Sequence, residues 1–298
     1  MRGLALALLC FAGGLPAAGA LRARGRERRA GPAAEEEGEA FVGAECLAPE
    51  DRPRIAELEA AYGGAQSFWT VDRGLFAHSA AEASRIAEEN KESSKSVIYG
   101  EMRPEGVLTL LRRLGARPGL RYYDLGSGSG KTVLLAAHFF GMNATGVELV
   151  ASRHESGCRA VDIARRSWAS ASSQAQAGGA AQLVHGSFFD YDFSDADIIF
   201  MSNGEWSDEM MERIKAMAMG VKPGARIAMW KYPMQSTPYA WPDDWKTVVE
   251  EMELPSTWGE PFAWTIIEKV SASRPPASLP AASAAKEQCS ASPPVQRL

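Results

Sequence analysis

This sequence is poor in the residues that build metal centres and covalent cross-links. Four cysteines and four histidines are spread over 298 residues. Cys10, Cys46, Cys158 and Cys289 form no CxxC pair and have no spacing with a histidine that fits a zinc site, so neither a metal centre nor a disulfide framework is expected. A surplus of positive charge is also missing. The formal net charge is -5 and the pI about 5.6, which excludes a global basic field. A nucleic-acid partner would need a local patch, and the body of the chain offers none; basic residues cluster only in "LRARGRERRAG", ahead of the fold. No apolar run is long enough to cross a bilayer comfortably, the nearest being "LALALLCFAGGL". With Arg2 before it and Ala18-Gly19-Ala20 after it, that run reads as a secretory leader over residues 1–20, leaving a mature chain without a membrane span.

Hydrophobic residues make up 46% of the chain, enough for a real core. Residues 21–44 carry an arginine-rich run followed by "AAEEEGE" and are expected to be a disordered linker; such a run after a leader also suits an organelle transit segment. Residues 272–298, rich in Pro, Ala and Ser, are expected to be a disordered tail. Between them, residues 45–117 read as a helical N-terminal segment. Within it, Val107, Leu108, Leu110 and Leu111 form an apolar stripe that Gly115 and Pro118 stop. Over residues 118–271 strands and helices alternate, which predicts an α/β fold with a parallel sheet wrapped by helices and ligands bound beyond the carboxyl ends of the strands. "WKTVVEEMEL" and "FAWTIIEKV" close the series as an antiparallel hairpin at the sheet edge.

The stretch "YYDLGSGSGKTVLL", Tyr122 to Leu135, carries the chemistry, and its two ends point to different ligands. Gly130-Lys131-Thr132 looks like the close of an ATP-binding P-loop. That motif needs a glycine at position 125, where this chain has Leu125, and Asp124 at the strand end would repel phosphate. The later strand ends in Ser202-Asn203, where a magnesium-binding NTPase would want an aspartate. S-adenosylmethionine (SAM), with a sulfonium, an ammonium, a carboxylate and a ribose but no phosphate, makes the opposite demands. Asp124 then faces the ligand's positive end, and Gly126, Gly128 and Gly130 let backbone pass close to it. Glu148, closing "ATGVE", is placed to accept both ribose hydroxyls. A nicotinamide dehydrogenase uses the same strand, loop and helix with an acid on the next strand, but an aspartate ending the first strand is unusual for a pyrophosphate binder. "GKT" is read here as coincidental.

Reading outward, "VIYGEMRPEGVLTLLRRL", "YYDLGSGSGKTVLLAA", "ATGVEL", "VHGSFFDYDF", "IIFMSNGEWSDEMMERIKAMAMGVKPGARIAMWKYP" and "ELPSTWGEPFAWTII" resemble, in order and spacing, the non-SET histone lysine methyltransferases of the disruptor of telomeric silencing family, over residues 90–270. The resemblance implies a class I SAM-dependent methyltransferase fold, Rossmann-like, acting as a chromatin regulator on a lysine of a core histone. It places Tyr99 and Glu101 over the cofactor, with Glu101 toward the ammonium, and Phe188 beside the adenine. Asn203 is expected between cofactor and lysine channel. Departures are visible: Ser202 replaces an asparagine, Ser187 replaces an acid that accepts the adenine amino group, leaving Asp190 as a substitute, and Trp264 stands where a tyrosine lines the channel. The basic segment that grips nucleosomal DNA is absent from the body of the chain.

The catalytic candidates are therefore Asn203, Tyr99 and Trp264, with Trp206, Trp264 and Phe188 as an aromatic wall that excludes water from a lysine amine. The cofactor candidates are Glu101, Asp124, Gly126, Gly128, Gly130, Glu148, Ser187 and Phe188. The partner implied is a protein substrate carrying a lysine, histone or nucleosome by resemblance. The leader and the acidic charge favour instead a non-histone protein or small molecule in a secretory or plastid-like compartment, whereas the family resemblance favours the nucleus. A third reading is a SAM-binding protein that has lost catalysis.

Overall fold

The computed structural model describes residues 49–71, 73–89, 98–170, 179–230, 241–257, 261–271 and 287–291, so the expected leader and linker lie outside the described residues. The chain divides at Arg52 into two units, and of the first only residues 49–52 are described. Helices α1 (Arg52–Ala61, in the second unit from Pro53 on), α2 (Ala65–Trp69), α3 (Arg73–Glu89) and α4 (Pro104–Arg113) precede the first strand. Then come β1 (Arg121–Leu125), α5 (Lys131–Phe140), β2 (Asn143–Glu148), α6 (Ala151–Ser170) and β3 (Ala181–His185). They are followed by β4 (Ile198–Met201), α7 (Asp208–Ala218) and β5 (Arg226–Trp230). Three more strands close the series: β6 (Trp245–Leu254), β7 (Phe262–Lys269) and β8 (Glu287–Ala291).

One sheet holds all eight strands in the order β6-β7-β5-β4-β1-β2-β3-β8. The five inner strands, β5, β4, β1, β2 and β3, run parallel, and β4 is buried along its whole length because "IIFM" offers apolar side chains to both faces. β6 and β7 form the expected antiparallel hairpin, with β6 on the outer edge. Strand order reverses between β1 and β4, which opens a crevice beyond their carboxyl ends. The helices are anchored by local chemistry. Ser207 accepts the Met210 amide at 3.2 Å to cap α7, and Glu82 of α3 accepts the Ala151 and Ser152 amides at 3.1 and 3.2 Å to cap α6. At the far end of α7, the buried Lys269 ammonium donates to the Ala218 and Met219 carbonyls at 3.1 and 2.7 Å.

Two expectations are corrected here. Residues 287–291, inside the segment read as a disordered tail, form β8, paired antiparallel with β3 from Ala181↔Ala291 to His185↔Glu287. No apolar alternation marked "EQCSA", because a strand added to an existing edge gains its stability from ladder hydrogen bonds rather than from a buried face of its own. The second correction concerns the cysteines: Cys158 of α6 and Cys289 of β8 form a disulfide with Cα atoms 5.6 Å apart. They lie 131 residues apart in sequence, so their pairing depends on the long-range fold and leaves no local spacing signal.

Peptide mapping after alkylation of the denatured, unreduced chain is expected to recover Cys158 and Cys289 in one cross-linked species; recovery of both as alkylated thiols contradicts the bond. Disulfides typically contribute about 2–4 kcal/mol, and chain entropy puts a loop of this length at the upper end of the range. Reduction should therefore lower Tm by several degrees and speed amide exchange first in residues 287–291.

Candidate functional site

A cavity of about 350 Å³ opens where the carboxyl ends of β1, β2, β3, β4 and β5 converge, a size within the range of small-molecule sites. β1 contributes Asp124 and the loop Gly126–Gly128, β2 contributes Glu148, and Ser187 and Phe188 follow β3. Ser202 and Trp206 follow β4, and Trp230 ends β5. Tyr99 and Glu101 enter from the segment ahead of α4. Eight of the eleven sequence candidates thus line one cavity.

The glycine loop is shaped by Glu148. Its two carboxylate oxygens accept the amides of Gly128 at 2.7 Å and Val150 at 2.9 Å, which ties the loop after β1 to the turn between β2 and α6. At Gly128 the backbone has φ +55°, and a Cβ would meet the Tyr99 ring at 2.6 Å. A side chain at that position is therefore opposed both by backbone strain and by Tyr99. The Arg153 guanidinium lies over the Tyr99 ring, 4.6 Å from its centroid, and its Nη1 lies 3.9 Å from Glu148.

Asp124 is 2% exposed. One of its oxygens accepts the Thr132 hydroxyl, on the first turn of α5, while Oδ1 is buried without a partner. Burial pushes the Asp124 carboxyl up, the Thr132 hydrogen bond opposes this and the Glu148 charge adds to it, leaving it at about 7. A buried acceptor without a donor, on a wall that also holds Glu148 and Glu101, suits a cationic ligand and disfavours phosphate. The polar atoms and glycine clearances of this wall therefore fit SAM.

Glu101 is more heavily engaged than expected. Its Oε1 accepts the Tyr99 hydroxyl and the Ser129 hydroxyl, the latter at 3.0 Å, and its Oε2 pairs with Lys131 Nζ at 2.6 Å. On the opposite side, Phe188 stacks on Trp206 with ring centroids 4.9 Å apart. Ser187 lines the cavity too, but its hydroxyl accepts the Phe189 amide at 3.2 Å as the cap of a short 3-10 turn.

Three candidates lie elsewhere. Gly130 sits behind the loop, where a Cβ would meet Leu183 at 2.8 Å. Asn203 is buried off the wall, and its Oδ1 accepts the Trp230 amide at 2.8 Å while Nδ2 donates to Met211 Sδ at 3.5 Å. It holds the end of β5 against the start of α7. The expected place of Trp264 in the channel is corrected: its ring is 2% exposed, stacked on Phe200 at 5.0 Å and edge-on to Trp230 at 6.0 Å. In the β5–β7 pairing Trp264 lies opposite Trp230, and Trp230 is the tryptophan that reaches the cavity. Sequence reasoning missed Trp230, Arg153 and Lys131. Of these only Lys131 carried a signal, the "GKT" that fitted no P-loop.

The family model described as histone methylation protein DOT1 matches residues 78–259. Two relatives described as H3 lysine-79-specific histone-lysine N-methyltransferases come from Aspergillus fumigatus and Emericella nidulans. They are 26% and 25% identical to this chain over 149 residues. Each alignment covers 47% of this chain and 28% of the relative, so the chain matches little more than a quarter of their length. Among solved structures, TrmN from Thermus thermophilus aligns with TM-score 0.46 and 20% identity, covering 59% of this chain and 52% of that one. An RNA methyltransferase from Salinibacter ruber in complex with S-adenosylhomocysteine aligns at 0.40 and 19%, covering 58% and 94%.

Because the folded Asp124 carboxyl is raised to about 7, above its unfolded value, its stabilising contribution is full at low pH and is lost as pH rises through about 7. Asp124→Asn should therefore raise the Tm of the ligand-free chain at pH 8 by several degrees, with little change at about pH 4, below which both states are protonated, while weakening SAM binding at pH 8. Differential scanning calorimetry at the two pH values checks the first part. An equal Tm change at both would remove the assigned titration.

Proposed function

Since this chain belongs to the DOT1 family of histone methylation proteins, we propose that it is a SAM-dependent protein-lysine N-methyltransferase whose acceptor is a core-histone lysine. The observation that carries the cofactor half of this reading is the wall itself: Asp124, Glu148 and Glu101 around a glycine loop, with one Asp124 oxygen buried and unpartnered. Those acids repel a phosphate group and attract a ligand with positive charge. The family membership and the relatives' names support the lysine half.

Bound SAM would supply an activated methyl group for in-line transfer to an amine. The chain's own residues then have distinct tasks. Asp124 faces the positive end of the cofactor, Glu148 offers its remaining lone pairs to the ribose hydroxyls, and Phe188 gives the adenine a flat apolar surface. Trp206 and Trp230 wall the other side of the cavity and exclude water. That exclusion matters because a lysine of pKa about 10.4 costs roughly 4 kcal/mol to hold neutral at pH near 7.4, and desolvation reduces the cost. Asn203 acts through Trp230, whose amide it holds, and is a positioning residue. We assign no dedicated base for the amine, and the rate comes from alignment.

A second reading, methylation of a non-histone acceptor in an oxidising compartment, is favoured by one observation, the Cys158–Cys289 disulfide. Such bonds persist in oxidising compartments and are rare in nuclear proteins. Among the described residues no helix is long and apolar enough to cross a membrane.

Transfer of radiolabelled methyl from SAM separates the readings when the chain is given histone octamers, intact nucleosomes and a nucleosome-free extract in parallel. Label on a core histone is the expected result, stronger on octamers than on nucleosomes because the chain's net charge of -5 opposes DNA. Label confined to extract proteins moves the assignment to the second reading. Saturable SAM binding with no label anywhere would make the chain a binding protein without catalysis.

A further inference from the structure

Lys131 occupies the lysine position of a P-loop-like "GKT", yet its ammonium has no proton left for a ligand. It is 6% exposed. Nζ donates to the carbonyls of Ser67 at 2.6 Å and Thr70 at 2.9 Å and pairs with Glu101 Oε2 at 2.6 Å. Three protons meet three acceptors, which excludes a phosphate-binding role.

The other side of the pair is equally fixed. Glu101 takes hydrogen bonds from Tyr99 and Ser129 on Oε1 and from Lys131 on Oε2. Its backbone is clamped by Thr257, whose Oγ1 accepts the Glu101 amide at 3.0 Å and whose own amide donates to the Glu101 carbonyl at 2.9 Å. A carboxylate has about four acceptor positions, so one on Oε2 remains, and Glu101 lines the cavity. Glu101 and Lys131 also line a second hollow of about 250 Å³, bordered by Tyr62 and Ser67. The pair is thus the partition between the main cavity and the helical segment.

We propose that Lys131 is a positioning residue for the amino-acid end of the cofactor: anchored on the carbonyls that end α2, it holds Glu101 so that its last acceptor position meets the ligand's ammonium. The inference rests on the SAM reading. It assigns to the helical segment a part in cofactor recognition, since the Ser67 and Thr70 carbonyls orient the lysine that orients the glutamate. A lysine serving the fold alone would lower stability and would treat all ligands of the cavity alike.

The test compares two ligands by isothermal titration calorimetry: S-adenosylhomocysteine, and 5′-methylthioadenosine, which keeps the adenosine and thioether but lacks the amino-acid group. Lys131→Met in the full chain should weaken S-adenosylhomocysteine at least tenfold and change methylthioadenosine less than twofold. Glu101→Gln, nearly isosteric, should give the same split, and the double variant should be no worse than either single one. If Lys131→Met does not fold, Glu101→Gln with Ser129→Ala carries the same comparison. Equal losses for the two ligands, or no loss for either, would overturn the inference while leaving the cofactor reading intact. Failure of the unaltered chain to bind either ligand would sink both.

Discussion

Glu148 binds three parts of the site together. By accepting the Gly128 and Val150 amides it holds the loop after β1, the end of β2 and the start of α6 in one arrangement. The loop then approaches Tyr99 so closely that Gly128 has no room for a Cβ, and Tyr99 in turn lies between Arg153 and Glu101. The same carboxylate adds to the burial that raises Asp124. Loop shape, the pose of the aromatic over it and the charge of the neighbouring aspartate are therefore coupled through one side chain. Removing it would unsatisfy buried amides as well as delete a ribose acceptor, so effects on binding and folding at this position cannot be separated by a single substitution.

Much of this was legible in the sequence for definite physical reasons. The parallel sheet announced itself through apolar strands alternating with amphipathic helices, and the cavity through an acid and three glycines placed where β1 must turn into α5. Glu148 was legible because an acid at the end of the second strand can only sit beside that loop. What escaped were the contacts made by residues distant in the chain. Trp264 and Trp230 pair across β7 and β5 on one face of the sheet, and Trp230, on the strand nearer the cavity, is the one that lines it. Arg153 follows Glu148 by one turn and carries no motif of its own. The cystine and β8 depend on a chain end returning to the β3 edge over a span that no local pattern records.

The "GKT" was the instructive misreading. Both the P-loop interpretation and its dismissal as coincidence assumed that a lysine after a glycine loop either binds the ligand or does nothing. Lys131 borders the cavity, but its ammonium is taken up by Glu101 and the carbonyls of Ser67 and Thr70. Burying an ammonium is tolerable here because every proton has an acceptor, one of them charged. An acidic wall can thus contain a cation without becoming a phosphate site, since that cation is already spoken for.

The central claim is that the cavity is built for a cationic, phosphate-free nucleoside, and competition binding tests it most directly. Radiolabelled SAM is equilibrated with the full chain and challenged with S-adenosylhomocysteine or with magnesium-ATP. The account predicts one saturable site, emptied by S-adenosylhomocysteine and untouched by ATP. Displacement by ATP at comparable concentration, or no saturable binding of SAM, would contradict it.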